Sequence, residues 1–303
     1  MEWEVRIIEW MQSNATDLSR FLGEFFSFIG GEMGLLVMLV VTMFCWKKKT
    51  GQRLVMVVAS LLAWFAMIKA AVKRPRPYFE YPDRVKPLTP VNTDASATNI
   101  AAQGYSFPSM HSGSVVTLYF TLAREIKKKW TYIFATVLSL LVGYFRVVTA
   151  NHYPTDVMIG WILGFVIIWI FDLLDKHIKK QWVQSLMIIA ITLPGLIYVR
   201  TDDYYSALGL IIGTALAIPY ERKYVKYEDT HNVYAMILRS LCAFAIYIGL
   251  NKLLKIPFSK QFLESASLAA LLIRTLRYTI IIFVILGIYP KVFPLFEKIG
   301  KKK

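Results

Sequence analysis

Residues 54–71 read LVMVVASLLAWFAMIKAA, a stretch of 18 positions with a single charged side chain, Lys69. A helix needs about 20 largely apolar residues to cross roughly 30 Å of hydrocarbon, so this stretch predicts a transmembrane helix. The same criterion predicts nine spans, at residues 30–46, 54–71, 109–122, 130–145, 157–174, 182–199, 205–219, 234–250 and 275–289. The expected fold is therefore an all-α polytopic transmembrane bundle of about nine helices with short loops and one longer connection.

The composition also indicates a membrane protein. Of the 303 residues, 56% are hydrophobic and 18% are charged, whereas about a quarter of a soluble domain is charged. A disordered chain and a disulfide-rich secreted module are excluded. The formal charge of +15 is typical of nucleic-acid-binding domains. Here, however, the basic residues are dispersed over several loops without a continuous patch, so no nucleic-acid partner is expected.

The distribution of Lys and Arg orients the predicted spans. When the loops alternate between the two sides, one side holds most of the basic residues, including runs at 47–49 and 127–129. The positive-inside rule makes this side cytoplasmic. We therefore expect an integral protein of the cell membrane with a cytoplasmic C-terminus. Residues 1–29 alternate apolar residues such as Trp3 and Ile8 with charges, which predicts interfacial helices.

On the extracytoplasmic side, ionisable residues concentrate in three clusters. The first is KAAVKRPRP at residues 69–77, the second is YSFPSMH at residues 105–111, and the third contains Arg146, His152 and Asp156. Taken singly, each has an ordinary explanation as a snorkelling cation, a helix start or a solvated turn residue. Because all three lie on one face in consecutive loops, they predict a functional site.

The side chains in these clusters suit a phosphoryl group. Arginine makes forked contacts with phosphate oxygens, lysine acts as a point charge, and the amides of a helix that starts after Pro108 attract an anion. His152 and Asp156 are four residues apart, so the carboxylate can engage one imidazole nitrogen and leave the other free to attack. With His111 as an acid, the clusters predict nucleophilic displacement at phosphorus.

These residues resemble a known family. The patterns Lys-x6-Arg-Pro, Pro-Ser-x-His and Arg-x5-His-x3-Asp are similar to the three signature motifs of the type 2 phosphatidic acid phosphatase and vanadium haloperoxidase superfamily. Two positions depart from the family's pattern, since Met110 stands where Gly is usual and Phe145 stands where Ser or Gly commonly precedes the arginine.

The resemblance implies a role for each matching residue. His152 is the expected nucleophile, which forms a phosphohistidine; Asp156 orients it, and His111 protonates the leaving oxygen. The phosphoryl oxygens are expected to contact Lys69, Arg76, Ser109, the backbone amide of Met110, and Arg146. No metal and no cofactor is expected.

The resemblance also implies a division of the chain. Residues 1–29 are expected to form interfacial helices, residues 30–175 the phosphatase core with its three motifs, and residues 176–303 additional transmembrane helices of unknown role. The expected partners are a lipid phosphate substrate and membrane lipids, and the oligomeric state stays open.

The leading interpretation is a lipid phosphatase that acts at the outer membrane face on undecaprenyl diphosphate, phosphatidylglycerol phosphate or phosphatidic acid. One alternative is a phosphatase of long-chain-base (sphingosine-like) phosphates, and another is a lipid phosphotransferase. A different class is an anionic-lipid transporter or scramblase without hydrolysis, which needs cations but has no use for a His–Asp pair beside a second histidine.

Overall fold

The all-α prediction is confirmed by a computed structural model, which describes residues 2–88, 96 and 99–299; within them all regular secondary structure is helical. In chain order the helices are α1 (Glu2–Ser13), α2 (Asp17–Gly30), α3 (Glu32–Val41), α4 (Lys48–Val72), α5 (Pro77–Glu80), α6 (Ile100–Gln103), α7 (Met110–Ile126), α8 (Lys129–Val148), α9 (Pro154–His177), α10 (Gln181–Thr192), α11 (Gly195–Tyr198), α12 (Asp202–Tyr220), α13 (Val233–Leu253), α14 (Lys260–Leu263), α15 (Leu268–Phe283) and α16 (Phe293–Phe296). Short π-helical turns follow α3, α12 and α15, at Thr42–Trp46, Glu221–Val225 and Val284–Ile288.

Several helical segments are long and apolar enough to cross a membrane. In the described part of the chain there are six, at Lys48–Glu80, Lys129–Val148, Pro154–His177, Gln181–Tyr198, Val233–Leu253 and Leu268–Phe296. The pair α2 and α3, bent by 48°, makes a seventh if it counts as one broken span. The chain is thus a polytopic integral membrane protein, as predicted.

The predicted number of about nine spans is approximate, because two predicted spans fall short of this criterion. The segment 109–122 corresponds to α7, which has only 17 residues. The segment 205–219 corresponds to α12, which begins with two aspartates and carries glycine, threonine and tyrosine among its apolar residues. Short or polar helices of this kind are not recognised by length and hydropathy alone.

Large apolar side chains on α8 and α9 point outward. Ile133 and Leu140 on α8 are exposed, as are Ile162 and Trp169 on α9. In a soluble protein such a surface would be a liability, whereas in a membrane protein it faces lipid.

Packing divides the chain into two compact units. Unit 1 comprises Met1–Leu35 and Met67–Asp172, and unit 2 comprises Leu36–Ala66 and Leu173–Lys303. The division of the chain predicted from the motifs, with boundaries after residues 29 and 175, stays a prediction.

Unit 1 contains the helix ends that carry the three motifs. Val5 and Ile8 on the inner face of α1 pack in one apolar cluster with Tyr153 and Val157, at the joint between α8 and α9. The start of α9 lies directly on the start of α7, because a Cβ atom at Gly160 would be only 2.6 Å from the backbone oxygen of Ser109. This close approach fixes the third motif against the second.

Unit 2 has a core of its own, built around aromatic rings. Phe293 stacks edge-on against Phe44, Tyr227 and Tyr289. Beside them the fully buried carboxylate of Glu221 accepts hydrogen bonds from Lys48 Nζ at 2.7 Å and from the backbone N–H of Tyr227 at 3.0 Å. Residues 300–303, on which the predicted cytoplasmic C-terminus falls, lie outside the described residues.

The contact between α9 and α7 gives a test of the fold. We expect Gly160→Ala to lower the free energy of unfolding by about 1–3 kcal/mol, because the added methyl must displace the backbone of Ser109. Gly249→Ala is the matched control, since a Cβ atom there meets nothing within 4 Å. Thermal denaturation in one detergent checks this, and an unchanged midpoint for Gly160→Ala would contradict the packing.

Candidate active site

Three helix ends of unit 1 bring the three sequence motifs together. Lys69 lies in the last turn of α4, Ser109 caps the start of α7, and Arg146 lies in the last turn of α8. The positive charges of Lys69, Arg76 and Arg146 act on the imidazoles of both His111 and His152. Residues far apart in the sequence therefore share one region.

Arg76 and Lys69 are held by backbone carbonyl groups. Arg76, which is 4% exposed, donates from Nε and Nη2 to the oxygen of Gln103 and from Nη1 to the oxygen of Asn151, at 2.8–3.0 Å. Lys69 Nζ donates to the oxygens of Tyr105 and Ser106, at 2.8 and 3.1 Å. These two cations fix the loop that leads into the second motif. Carbonyl groups satisfy their donors without cancelling their charge.

Arg146 keeps donors available. Its side chain is 3% exposed, and its Nη1 donates to the hydroxyl of Ser27 on α2 at 2.7 Å. Its Nε and Nη2 atoms are buried and have no hydrogen-bond partner in the structure. Buried donors without partners cost free energy, so their presence indicates a place where a ligand supplies the acceptor oxygens.

His152 lies in the short connection between α8 and α9. Its side chain is 2% exposed, and its backbone N–H donates to the oxygen of Arg146 at 3.2 Å. Burial, together with the charges of Arg76, Arg146 and Lys69, holds the pKa of His152 well below its ordinary value of 6.5. The imidazole is therefore neutral near pH 7, as a nucleophile must be.

Asp156 is fully buried in the first turn of α9. One carboxylate oxygen accepts from Arg74 Nη1 at 2.7 Å, and the other accepts from the backbone N–H of Tyr153 at 2.9 Å. The separation of this second oxygen from His152 Nδ1 is 3.7 Å, which is longer than a hydrogen bond. The carboxylate thus faces the imidazole and is held mainly by Arg74.

The second motif forms the start of α7. The hydroxyl of Ser109 is buried, lies 2.8 Å from that of Ser112, and accepts from the N–H of Ser112. The backbone N–H of Ser109 donates to the backbone oxygen of Asp156 at 3.0 Å, which joins this motif to the third. Met110 and His111 are half-buried.

The joint between α2 and α3 borders His111. A Cβ atom at Gly31 would lie 3.4 Å from His111 Nε2. Phe145, one of the two departures from the family's pattern, stacks on Phe26 of α2, with ring centroids 5.1 Å apart. Helix α2, which was expected at the membrane interface, therefore contacts the site on two sides.

Sequence reasoning missed a group of residues that support Asp156. Arg74 donates from Nη2 to Glu4 at 2.7 Å and from Nη1 to the hydroxyl of Thr155 at 2.8 Å, and its guanidinium lies 3.8 Å from the centroid of the Tyr153 ring. Glu4, buried on α1, also accepts from the hydroxyl of Thr155 at 2.6 Å. Arg74 is visible beside the first motif, whereas nothing local in the sequence points to Glu4.

The arrangement of possible metal ligands also bears on the chemistry of the site. Among the residues that the structure describes, there is no group of three or more His, Cys, Asp or Glu side chains placed to hold a metal ion. What the site does offer is a neutral imidazole, a second imidazole and three cations, which together suit the chemistry of a phosphoryl group.

Comparison with known protein families gives two matches. A model described as the PAP2 superfamily matches residues 49–177, and one described as PAP2 superfamily phosphatase, transmembrane extension, matches residues 205–301. No solved structure matches the chain.

Three curated relatives match parts of the chain. Phosphatidylglycerophosphatase B of Bacillus subtilis is 32% identical over 111 residues, which cover 33% of this chain and 51% of the relative. Undecaprenyl-diphosphatase of Sulfolobus acidocaldarius is 42% identical over 60 residues, 20% and 29% of the two chains. Lipid A 4'-phosphatase of Bacteroides thetaiotaomicron is 30% identical over 92 residues, 29% and 41% of the two chains. The chain spans about half or less of the length of these relatives.

The first family model includes all three motifs, which converge in unit 1, and the second covers most of the helices that follow. The chain therefore belongs to the PAP2 superfamily and carries that superfamily's transmembrane extension.

Proposed function

We propose that this protein is a membrane lipid phosphatase that cleaves a phosphomonoester or diphosphate through a phosphohistidine at His152. One observation carries the proposal. The buried Arg146, with two donors that have no protein partner, acts by its charge on a buried neutral imidazole. Together they offer a place for phosphoryl oxygens next to a nucleophile.

In the proposed first step, Nε2 of His152 attacks phosphorus, and the bond from phosphorus to the lipid oxygen breaks. His111, whose protonated form the negative charge of the bound phosphate stabilises, donates a proton to that leaving oxygen, so the oxygen gains no negative charge as the bond breaks. Asp156 faces Nδ1 of His152, and the 3.7 Å separation closes to a hydrogen bond as the ring gains positive charge.

In the second step, water attacks the phosphorus of the phosphohistidine. His111 takes the proton of the water, the bond between nitrogen and phosphorus breaks, and inorganic phosphate leaves with both imidazoles restored. Lys69, Arg76 and Arg146 stabilise the negative charge that grows on the phosphoryl oxygens in both steps. This route needs no metal and no cofactor.

The names of the relatives support a lipid phosphate as the substrate class. They act on a phosphatidylglycerol phosphate, an undecaprenyl diphosphate and a lipid A phosphate, according to their names. What these share is a phosphoryl head, which is the part that the three motifs contact. Undecaprenyl diphosphate, phosphatidylglycerol phosphate and phosphatidic acid are the candidates, with long-chain-base phosphate as the alternative.

We place this site at the extracytoplasmic face of the cell membrane. It is built at the end of α4, the start of α7 and the joint between α8 and α9. The opposite ends of α7 and α8 meet at Lys127, Lys128 and Lys129. The positive-inside rule assigns this lysine run to the cytoplasm, which supports an outward-facing site.

His152→Ala tests the role of the nucleophile. We expect the rate of phosphate release to fall by roughly a thousandfold or more, because no other group can accept the phosphoryl unit, while binding of a fluorescent lipid phosphate survives. Lys86→Ala, at an exposed position in the connection after α5, is the control and keeps its activity. An active His152→Ala protein would rule out the mechanism.

The same assay ranks the substrates. Purified protein in detergent is given the four lipid classes in turn, with and without a chelator and with and without vanadate. Inhibition by vanadate and indifference to chelator are expected, whereas loss of activity in chelator would contradict the metal-free route. A transporter or scramblase that only bound head groups would release no phosphate from any of the four.

The lowered pKa of His152 gives a second prediction. The neutral imidazole exists above its pKa, so a pKa well below 6.5 keeps it neutral at pH 6, where an ordinary histidine is largely protonated. NMR of protein labelled in its four histidines, with His152→Ala to assign the signal, reads this directly. Titration of the His152 signal near pH 6.5 would contradict the buried cationic environment.

Glu4→Gln tests the support of Asp156 by α1. Loss of this buried charge weakens the anchoring of Arg74, so we expect kcat to fall by roughly tenfold to a hundredfold with little change in KM. Glu9→Gln is the matched control, because Glu9 lies on the same helix but pairs with the surface residue Arg84. Equal kcat values for the two variants would show that Glu4 has no positioning role.

A further inference from the structure

The transmembrane extension contains a buried arginine of its own. Arg277, in α15, is 4% exposed and donates from Nη2 to the side-chain oxygen of Asn251 on α13 at 2.7 Å. Its Nε atom is buried without a hydrogen-bond partner. An arginine within a membrane-spanning segment is costly and marks a functional position, because the bundle must keep its charge solvated or paired.

Two further cations lie beside Arg277. Arg274 is one helical turn earlier on α15, and Lys255 follows the end of α13. Partial desolvation, together with the charges of Arg277 and Arg274, lowers the pKa of Lys255. A group of three cations close enough to disfavour one another's charge is unfavourable unless an anion joins them.

The carboxylate of Asp202 balances this group in part. Asp202, at the start of α12, acts on both Lys255 and Arg277, and it forms an ion pair with Arg274. The charge of Asp202 offsets that of Arg274, whereas the positive charges of Lys255 and Arg277 are not offset by it. The net charge of these four side chains is therefore positive.

Helix packing fixes the position of the arginines. The hydroxyl of Thr275, between them on α15, donates to the backbone oxygen of Tyr205 on α12 at 2.9 Å. A Cβ atom at Gly209 of α12 would lie 2.5 Å from the backbone oxygen of Thr275. The close packing of α15 on α12 therefore holds the backbone that carries Arg274 and Arg277 in place.

The connection next to Lys255 has an apolar surface. Ile256 is exposed, and the rings of Phe258 and Phe262 stack with centroids 5.7 Å apart. Aromatic and apolar residues beside basic ones are typical of the region where lipid head groups meet acyl chains. This surrounding favours a phosphate that is attached to a lipid.

We propose that Asn251, Lys255, Arg274 and Arg277 form a second phosphate-binding site in the transmembrane extension, which binds the head group of an anionic phospholipid. Two guanidinium groups supply forked donors, the ammonium supplies a point charge, and the amide adds a neutral donor. Free phosphate shares this chemistry, so the experiment includes it. The site does not depend on the proposed phosphatase reaction.

The test measures lipid binding by calorimetry on the full chain in a neutral detergent. The probe is dioctanoyl phosphatidylglycerol, whose phosphodiester is not a phosphomonoester substrate; dioctanoyl phosphatidylcholine and inorganic phosphate are titrated separately. We expect Lys255→Gln to weaken binding of phosphatidylglycerol by roughly fivefold, since one cation near a lipid surface contributes about 1 kcal/mol. Arg277→Gln is expected to weaken it further.

Lys260→Gln is the matched control, because Lys260 is an exposed lysine of the same connection whose carboxylate neighbour is Glu264. Phosphatidylglycerol binding that is lost in both cluster variants and kept in the control supports the site. If inorganic phosphate binds as tightly as phosphatidylglycerol, and if the same variants lose this binding, the site is confirmed and its occupant is free phosphate.

A purely structural role gives a different result. If the arginines only clamp α12, α13 and α15 together, Arg277→Gln lowers the thermal midpoint equally with and without lipid. Lys255→Gln, at an exposed position, then binds phosphatidylglycerol as the wild type does. Those two results together would overturn the proposal.

Discussion

The site of this protein depends on keeping positive charge buried without neutralising it. Arg76 and Lys69 donate to the backbone oxygens of the loop at residues 103–106 and of Asn151, so their hydrogen bonds are satisfied by neutral groups. Burial, together with the charges of Arg76, Arg146 and Lys69, lowers the pKa of His152 and keeps its ring neutral. Hydrogen bonds to nearby carbonyl oxygens offset the desolvation cost of these two side chains, Arg76 and Lys69, and the side chains keep their positive charge.

The carboxylate of Asp156, by contrast, is paired with a charged partner. Asp156 is paired with Arg74, and Arg74 is in turn paired with Glu4, so this second network carries its own balance of charge. The two networks are adjacent but have different functions. One contains the cations that we propose to stabilise a phosphoryl group, and the other holds the carboxylate that faces Nδ1 of His152. A helix bundle achieves this because helix ends expose carbonyls and amides that the middle of a helix does not.

The sequence predicts much of this arrangement, and the parts it misses have physical reasons. The spacing of the motifs relative to the spans is sufficient to bring Lys69, Ser109 and Arg146 to the same helix ends. The four-residue spacing of His152 and Asp156 predicts that the carboxylate reaches one imidazole nitrogen, and in the structure the carboxylate faces Nδ1, although at 3.7 Å rather than at hydrogen-bond distance. Glu4 lies 70 residues before Arg74, and only the packing of α1 on the joint between α8 and α9 brings them together. The span criterion misses α7 because the helix has only 17 residues, and it misses α12 because aspartate, glycine, threonine and tyrosine lower the mean hydropathy of that helix.

Helix α1 has two faces with different surroundings. One face carries Glu4 into contact with Arg74, while the indoles of Trp3 and Trp10 on the other face are 52% and 69% exposed. Tryptophan prefers the boundary between lipid and water. If that face lies at the membrane surface, as the sequence predicts, the same twelve-residue helix meets the bilayer and also anchors Arg74, the partner of Asp156. Activity measured in micelles and in bilayers then compares two surroundings of the helix that anchors Arg74, and not only two ways of presenting the substrate.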